Sequence, residues 1–194
     1  MGRFPKDEIK RKLFHLLSLI YIAIYWFFPR PFILWGMGIA IVIVAAEEIA
    51  RWKSPAFDQW ILRALGGVHR GHEEGTVSGL PWTLTGSYLA MIVYPQKDLV
   101  MTGLLYMALG DAAAALFGRA FGKTKLIAGK SVEGSAACFI VCFFIGWYFL
   151  SIPLAIIGAF IATIIEIIPW PLNDNFWMPL ITAGLLGLIR KLVL

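Results

Sequence analysis

The chain has little charge and almost no cysteine for its length. Of its 194 residues, 15% are charged and 59% are hydrophobic, and the mean hydropathy is +0.76. A typical soluble domain is about 25% charged and about 45–50% apolar, and roughly a third of its unfolded surface stays in water after folding. This much apolar surface excludes a soluble globule, and it also excludes intrinsic disorder. The composition predicts an integral membrane protein.

The chain also lacks the residues of a disulfide framework or a zinc centre. Its two cysteines, Cys138 and Cys142, stand four apart in an apolar run, which is typical of small residues that pack between helices. His72 and Glu73 lie in a polar connection, but they lack the helical spacing of a zinc-binding H-E-x-x-H motif. The sequence therefore favours neither kind of site.

Long apolar runs are abundant. A segment of about 20 apolar residues, or at least about 17, crosses the hydrocarbon core of a bilayer as a helix. The candidate runs are 13–28, 32–50, 81–94, 99–121, 133–150, 152–168 and 176–189. The third and the last are short enough to be tilted or re-entrant. The runs predict an all-α bundle of about seven transmembrane helices, which forms a single integral membrane domain over residues 1–194.

The basic residues are distributed unevenly among the connections between these runs. Most of the 17 lysines and arginines lie in the N-terminal tail and in the second and fourth connections. Because basic residues accumulate on the cytoplasmic side of membrane proteins, the N-terminus is predicted to be cytoplasmic. The net charge of +5 then reflects topology, and it does not indicate nucleic-acid binding.

Several of the 12 carboxylates lie in or beside the apolar runs. Asp111 is the deepest, because ten residues, or about 15 Å of helix, separate it from the expected end of its run at Phe121. The others fall near the predicted cytoplasmic ends of their runs: Glu47, Glu48, Glu133, Glu166 and Asp174. Since an ionisable group in a membrane span is costly and usually functional, the pattern predicts one site at the cytoplasmic face.

The segment from Gly110 to Ser135 combines glycines with basic residues. Lysine, arginine and exposed backbone amides suit phosphate, and a buried aspartate nearby suits a divalent cation that bridges phosphates. The spacing of a P-loop is absent. Two plainer interpretations stay open, namely an ordinary connector and a helix-packing pair formed by Gly118 and Gly122.

Two shorter polar segments have similar double interpretations, and a third polar segment precedes an apolar run. Arg11-Lys12-x-x-His15 is either a cytoplasmic anchor or part of the site, because these side chains share one face of a helix. Asn173-Asp174-Asn175 is either a turn between helices or a ligand-binding segment. The connection at 70–79 combines histidine, carboxylates and hydroxyls just before an apolar run.

Together these segments resemble the CTP-dependent lipid kinases, the family of dolichol kinase, phytol kinase and CTP-dependent diacylglycerol kinase. The resemblance covers nearly the whole chain in order, and it matches the compact form found in phytol and microbial polyprenol kinases. Its most specific blocks are Gly110-Asp111-Ala112 and Lys130-Ser131-x-Glu133-Gly134-Ser135. The other matching pieces are Arg11-Lys12-x-x-His15, Glu48-x-x-Arg51, His72-Glu73 to Ser78-Gly79, Gly118-Arg119, Gly122-Lys123, Glu166, Asp174-Asn175 and Pro179.

The resemblance implies that the γ-phosphoryl group of CTP is transferred to a lipid hydroxyl with a divalent metal, preferably Mg²⁺. It implies Asp111 and Asp174 as metal ligands, with Glu133 or Glu166 as a third ligand or as the base. The implied nucleotide-binding residues are Arg11, Lys12, Gly118, Arg119, Gly122, Lys123, Lys130, Ser131, Gly134 and Asn175. Further candidates are His15, Glu48, Arg51 and Glu74.

Two other functions compete with this interpretation. A cytidylyltransferase would make a CDP-lipid from CTP, but its carboxy-terminal Lys-Asp, His-Gly-Gly and paired-aspartate signature is missing here. A small transporter would show internal repeats with broken helices at mid-membrane, and the sequence shows no convincing repeat. The expected partners are CTP and a bilayer lipid alcohol, with the active site facing the cytoplasm of a prokaryotic plasma membrane. Polyprenol, dolichol, phytol and diacylglycerol are not ranked by the sequence, and the oligomeric state stays open.

Overall fold

The computed structural model describes residues 6–64 and 78–193, and these residues form an all-α bundle. The helices of the described part are α1 (Lys6–Leu16), α2 (Ser18–Phe27), α3 (Arg30–Lys53), α4 (Pro55–Ala64), α5 (Gly79–Val93), α6 (Lys97–Leu105), α7 (Asp111–Phe121), α8 (Val132–Phe149), α9 (Ile152–Ile167) and α10 (Asp174–Val193). A π-helix (Tyr106–Gly110) joins α6 to α7, and a 3₁₀ turn (Ile127–Gly129) precedes α8. Within the described ranges no strand forms, so the predicted fold class is confirmed.

Three helices in the described part are long and apolar enough to cross a membrane. They are α3, the continuous helix Lys97–Phe121 made of α6, the π-helix and α7, and α8, while α9 is a shorter apolar helix. The apolar part of Lys97–Phe121 is 72% buried and that of α3 is 17% buried, so the former is the centre of the bundle and the latter faces outward. The total of seven spans and the orientation of the N-terminus stay predictions.

The first apolar run forms two helices rather than the single helix that the sequence predicted. The amide of Leu17 donates to the carbonyl of Phe14 at 3.1 Å, and the amide of Ile20 donates to the carbonyl of Leu17 at 3.0 Å. These are i→i+3 bonds, which tighten the turn and interrupt the regular α-helical series. The interruption separates α1 from α2 and lies next to the polar interior described below.

Helices α7 and α8 pack with their backbones in contact. A Cβ atom added to Gly134 would lie 2.6 Å from the carbonyl oxygen of Ala114 and 3.0 Å from Cα of Gly118. Only glycine leaves room for such an approach. The contact fixes the beginning of α7, where Asp111 lies, relative to the loop that precedes α8.

Large apolar side chains cover the outside of the bundle. Trp35 is 77% exposed and Tyr148 is 79% exposed, while Tyr106, Met107 and Met178 in the centre are fully buried. Apolar surface of this extent is unfavourable in water but is solvated well by lipid chains. The packing agrees with the membrane character that the composition predicted.

Three basic residues are held at one end of the bundle, which we call the distal end. Arg30 donates from Nη2 to the carbonyl of Ile92 at 2.6 Å, and Lys97 donates from Nζ to the carbonyl of Trp26 at 2.8 Å. Arg190 donates from Nη2 to Oδ2 of Asp98, also at 2.6 Å. All three lie outside the N-terminal tail and the second and fourth connections, where most of the lysines and arginines are found.

Candidate active site

A cavity of about 700 Å³ lies at the other end of the bundle, which we call the cavity end. Its walls come from α1, α2, α3, α4, the start of α5, the start of α7, the loop before α8 and the segment between α9 and α10. Its ionisable lining consists of Arg11, His15, Glu47, Asp111, Lys130 and Asp174. Sequence segments more than a hundred residues apart therefore share one polar space beside apolar walls.

Asp111 is buried at the first position of α7 and is held by two residues of α1. Nζ of Lys12 donates to its Oδ2 at 2.5 Å, and Nε2 of His15 lies 3.6 Å from the same oxygen. Lys12 is also buried, so this is an ion pair shielded from water. Removing one partner of such a pair leaves an uncompensated charge, which is strongly unfavourable. The pair ties α1 to the centre of the bundle.

The π-helix that precedes Asp111 takes part in this arrangement. A π turn inserts one extra residue into an α-helix and often marks a functional site. Within it, the carbonyl of Met107 accepts a hydrogen bond from Nε2 of His15 at 3.0 Å. Because a carbonyl only accepts, Nε2 carries the proton and His15 is oriented by the π-helix as well as by Asp111.

Lys130 forms a second charged group opposite the first. Its Nζ lies 2.6 Å from Oε1 of Glu166 and 3.4 Å from Oδ2 of Asp174. Burial lowers the pKa of Lys130, but the carboxylates of Asp174 and Glu166 raise it by more, so the net pKa lies above its ordinary value. Lys130 is therefore a stable cation on the cavity wall.

The loop before α8 presents Lys130 through a tight turn. The amide of Leu126 donates to the carbonyl of Lys130 at 2.8 Å, which closes the turn. Ala128 and Gly129 in its tip have φ angles of 53° and 76°, in the left-handed region that favours glycine. The turn thus directs Lys130 toward α9 and α10 instead of leaving it on a flexible connector.

The segment Asn173-Asp174-Asn175 begins α10 with side-chain bonds to its own backbone. The amide of Asn175 donates to Oδ1 of Asn173 and to Oδ1 of Asp174, each at 3.0 Å. The turn interpretation from the sequence is therefore correct in geometry, and the same segment also lines the cavity. Oδ1 of Asn175 is buried there without a hydrogen-bond partner.

Glu48 and Arg51 form a buried cluster beside the cavity. Arg51 contacts Glu48 at 3.1 Å and Asp58 at 2.7 Å, and Ser78 donates to Glu48 from both its amide and its hydroxyl. The cluster joins the end of α3 to α4 and to the start of α5. Neither Glu48 nor Arg51 lines the cavity. Glu74, another candidate from the sequence, lies outside the described residues.

Several predicted phosphate-binding residues lie beyond the cavity wall. Arg119 and Lys123 are exposed, and neither lines the cavity. Ser131 caps α8 by accepting the amide of Gly134 at 3.2 Å, and Glu133 accepts the amide of Thr124 at 3.2 Å. Gly118, Gly122 and Gly134 lie in the contact between α7, α8 and Ser131. Their structural surroundings match helix packing and loop closure, and a role in nucleotide binding stays a prediction.

Comparison with known proteins adds to this geometry. An uncharacterized protein of Rickettsia prowazekii is 31% identical over 89% of this chain and 90% of its own length. The CTP-dependent diacylglycerol kinase 1 of Saccharomyces cerevisiae is 26% identical over 96% of this chain and 74% of its own length. Its counterpart in Schizosaccharomyces pombe is 27% identical over 95% of this chain and 94% of its own length. The chain belongs to the CTP-dependent lipid kinase family.

Membership in the CTP-dependent lipid kinase family confirms the resemblance found in the sequence. The matches to the two yeast kinases run over nearly all of this chain, so the relationship is not confined to one motif. No family model matches the chain, and no solved structure matches it.

The resemblance to CTP-dependent lipid kinases implies a divalent metal, and the donors in the cavity fit one. Asp111, Asp174 and Asn175 line the cavity, and Oδ1 of Asn175 is buried without a hydrogen-bond partner. Oxygen donors suit Mg²⁺, which proteins usually hold through one or two carboxylates together with substrate phosphates. Among the described residues, no three His, Cys, Asp or Glu side chains form a group able to hold a metal. Asp111 and Asp174 would therefore hold such a metal only together with substrate phosphates, and the metal itself stays a prediction.

Sequence reasoning missed the hydroxyl groups of the cavity. Ser18, Tyr21 and Thr83 line it on α2 and α5. The signal was available, because Ser18 and Tyr21 lie three residues apart in an apolar helix and so share a face. Hydroxyl residues are common in membrane helices, however, and the break at Leu17 that turns this face toward the cavity could not be predicted from the sequence.

Proposed function

We propose that the chain transfers the γ-phosphoryl group of CTP to the hydroxyl group of a membrane lipid alcohol, in the cavity between α1, α5, α7 and α10. The observation that carries the proposal is the lining of this cavity, in which Lys130, Asp111 and Asp174 lie beside apolar side chains of α1 and α5. A triphosphate with its metal needs the charged surface, and a lipid chain needs the apolar surface. Few other reactions need both in one space.

Lys130 and Arg11 are the residues that we propose to bind the triphosphate. Both line the cavity, and Lys130 keeps its charge because of Glu166 and Asp174. Phosphoryl transfer depends on positioning and on neutralising negative charge more than on covalent chemistry by the protein. Glu166 is buried behind Lys130 and also receives the hydroxyl of Ser135 at 3.4 Å, so we propose that it positions Lys130.

Asp111 and Asp174 are the residues that we propose to hold the divalent metal, with Asn175 beside them. Such a metal, when bound, would neutralise charge on the phosphates and polarise them. Before a metal binds, Lys12 and His15 would keep the Asp111 carboxylate oriented.

The proton of the alcohol needs an acceptor within the cavity. The sequence had suggested Glu133 or Glu166 for this role, but neither of them lines the cavity. Asp111 and Asp174 do line it, so we propose one of these two carboxylates as the acceptor. A weakly basic carboxylate is sufficient, because bond formation to the nucleophile lags behind bond breaking in a loose transition state.

The arrangement would let the lipid substrate keep its chain in the bilayer. Phe14, Leu17 and Leu80 line the cavity and are 44–51% exposed, so apolar surface adjoins the charged groups. An alcohol could therefore reach Asp111 while its hydrocarbon remained among lipid chains. We also propose the orientation given by the basic residues, with the cavity facing the cytoplasm of a prokaryotic plasma membrane.

The experiment that tests the proposal uses the purified full chain in nanodiscs with CTP radiolabelled at either the α or the γ phosphate. We expect the γ label to appear in the lipid extract and the α label to remain in water as CDP. Transfer of the α label to lipid with release of pyrophosphate would instead establish a cytidylyltransferase. Absence of any CTP-dependent turnover with a panel of lipid alcohols would contradict the proposal and favour a transporter.

A further inference from the structure

The segment between α9 and α10 forms one wall of the cavity, and Lys130 contacts both of its ends. Glu166 in the last turn of α9 lies 2.6 Å from Nζ of Lys130, and Asp174 at the start of α10 lies 3.4 Å from it. All residues from 167 to 175 except Pro171 line the cavity. Phosphates bound at Lys130 would lie against this segment, so its other groups are candidates for contact with the rest of a nucleotide.

Two prolines deprive carbonyl groups of α9 of their usual partners. In an α-helix the carbonyl of a residue accepts the amide four residues later, and proline has no amide proton. Pro169 and Pro171 stand four residues after Ile165 and Ile167. The carbonyl of Ile165 accepts Nε1 of Trp170 at 2.9 Å instead. Among the described residues, no hydrogen bond replaces the missing one at the carbonyl of Ile167, a residue of the cavity wall.

Trp170 is an aromatic residue of the same wall, and its ring is held in place. Its Nε1 donates to Ile165, and the ring packs against that of Trp177 with the two ring centroids 5.6 Å apart. Trp170 lines the cavity and Trp177 does not, so the second ring supports the first from outside the cavity lining. An aromatic side chain at a nucleic-acid site commonly stacks on a base, whichever base it is. Trp170 therefore suits a flat heterocycle.

Asn173 adds a hydrogen-bond donor to this wall. Its Oδ1 accepts the amide of Asn175 at 3.0 Å, so Nδ2 is the end of the carboxamide that remains as a donor. Nδ2 lies next to Gly79, 3.3 Å from the position of an added Cβ, and it donates to no acceptor within the described ranges. The wall thus combines an acceptor at Ile167, an aromatic ring at Trp170 and a donor at Asn173, spaced three residues apart along the chain.

We propose that Ile167, Trp170 and Asn173 form the subsite that recognises the base of CTP. This inference rests on the proposed function, in which CTP is the phosphoryl donor, and it assigns the residues that contact the base. The cytosine ring stacks on Trp170, its 4-amino group donates to the carbonyl of Ile167, and its ring nitrogen 3 accepts from Nδ2 of Asn173. Uracil carries a carbonyl at position 4 and an N–H at position 3, so it reverses both contacts. A site built for one pattern of donors and acceptors discriminates against the reversed pattern.

The first test needs no variant. The full chain in nanodiscs receives a panel of lipid alcohols and one of three γ-labelled donors, namely CTP, UTP and the triphosphate of 2-pyrimidinone riboside, which lacks the 4-amino group. We expect kcat/KM to be about tenfold lower for the pyrimidinone than for CTP, as for one lost hydrogen bond, and lowest for UTP. Equal kcat/KM for the three donors would overturn the inference while the proposed function stands. Absence of transfer from every donor would contradict the proposed function and the inference with it.

The change Asn173→Asp tests how the edge of the base is recognised. It keeps the oxygen that accepts the amide of Asn175 but replaces the donor Nδ2 by an acceptor. We expect the ratio of kcat/KM for CTP to that for UTP to fall at least about tenfold, because a carboxylate suits the N–H of uracil. The added negative charge acts on both triphosphates alike and leaves their ratio unaffected. An unchanged ratio would overturn the inference.

The change Trp170→Leu tests the stacking contact. It should raise the KM for CTP and for UTP by about tenfold each and leave their ratio unchanged, since stacking tolerates either base. Trp170→Phe keeps an aromatic ring and should stay within about threefold of wild type. The control is Trp35→Leu, because Trp35 is 77% exposed and does not line the cavity. A Trp170→Leu protein with the melting temperature and the KM of wild type would overturn the inference, and the donor series and Asn173→Asp test it independently of how this variant folds.

Discussion

The distal end and the cavity end of the bundle both contain basic residues, but they neutralise them in different ways. At the distal end, Arg30 and Lys97 donate to backbone carbonyls, and Arg190 pairs with a partly exposed aspartate, Asp98. At the cavity end, Lys12 and Lys130 pair with the carboxylates of Asp111 and Glu166, which are almost fully buried. The cavity of about 700 Å³ lies beside the second group of charges.

The difference separates charges that hold helices together from charges that can act on a ligand. Exposed pairs contribute little to stability and can be replaced at small cost. Burying an ionised carboxylate is unfavourable in free energy, and buried ionisable groups of this kind are common at functional sites. The following experiments test this distinction, from the largest expected effect to the smallest.

The largest effect should follow from changing Asp111 to Asn. This change keeps the shape of the side chain but removes the charge that Lys12 and His15 face, and with it a candidate metal ligand. We expect CTP-dependent lipid phosphorylation to fall more than about a hundredfold. The matched control is Asp98→Asn at the distal end, which should leave turnover unchanged. Equal losses in the two variants would remove the distinction between the two ends.

Changing Lys130 to Met should weaken CTP binding. A charge-assisted contact to phosphate would be lost, so we expect the KM for CTP to rise about tenfold to a hundredfold, with a smaller change in the affinity for lipid. Lys125→Met is the control, because Lys125 is an exposed lysine of the same loop that does not line the cavity. A similar rise in that variant would mean that general positive charge, rather than the position of Lys130, matters.

The pH dependence of Lys130 has a definite sign. Its pKa is raised in the folded protein, so its ion pairs stabilise the fold fully below the ordinary pKa of lysine and lose this effect only as pH rises through the raised pKa. The loss in melting temperature caused by Lys130→Met should therefore be full at about pH 9, and any decrease of that loss toward lower pH reports proton uptake by the carboxylates left unpaired, Glu166 and Asp174. The absence of a loss at about pH 9 would contradict the ion-pair geometry.

Replacing Gly134 by Ala tests whether this glycine serves packing or phosphate binding. The added Cβ would lie 2.6 Å from the carbonyl oxygen of Ala114, so we expect a loss of about 1–3 kcal/mol in the free energy of unfolding. Gly36→Ala is the control, since nothing lies within 4 Å of a Cβ there and the helix should become slightly more stable. A selective loss of CTP affinity in a Gly134→Ala protein of normal stability would instead support the phosphate role.

The smallest effect should come from Arg190→Gln at the distal end. Its side chain and that of Asp98 are each about one-third exposed, so the loss should be at most about 1 kcal/mol and should shrink further at high salt. Thermal melting at two salt concentrations measures it. A much larger loss would show that the distal pair is as important to the fold as the buried ones.

Composition and pattern were sufficient to predict the membrane class, the all-α fold and the family. Hydropathy decides whether a helix suits lipid, and the Gly-Asp-Ala and Lys-Ser-x-Glu-Gly-Ser blocks are specific enough to indicate CTP-dependent lipid kinases. The sequence also predicted that Asp111, Lys130 and Asp174 belong to one site, and these three residues do line one cavity.

Other features depend on tertiary contacts that no local pattern contains. The break at Leu17 and the π-helix before Asp111 arise where α1 packs against the centre of the bundle, so neither follows from the local sequence. Glycine and serine beside lysine occur both in structural contacts and in phosphate sites. Here Gly134 lies in a helix contact and Ser131 caps a helix. Only the packing distinguishes these possibilities.

The most direct test of the central claim is photo-crosslinking of the full chain in nanodiscs with a photoreactive CTP analogue and, separately, a photoreactive lipid alcohol. If CTP and lipid meet at the cavity end, the nucleotide should label segments around Arg11 and Lys130, and the lipid should label segments around Leu17 and Leu80. Excess CTP should reduce labelling by the nucleotide analogue, and excess unlabelled alcohol should reduce labelling by the lipid analogue. Labelling concentrated around Arg30, Lys97 and Arg190 would contradict the account.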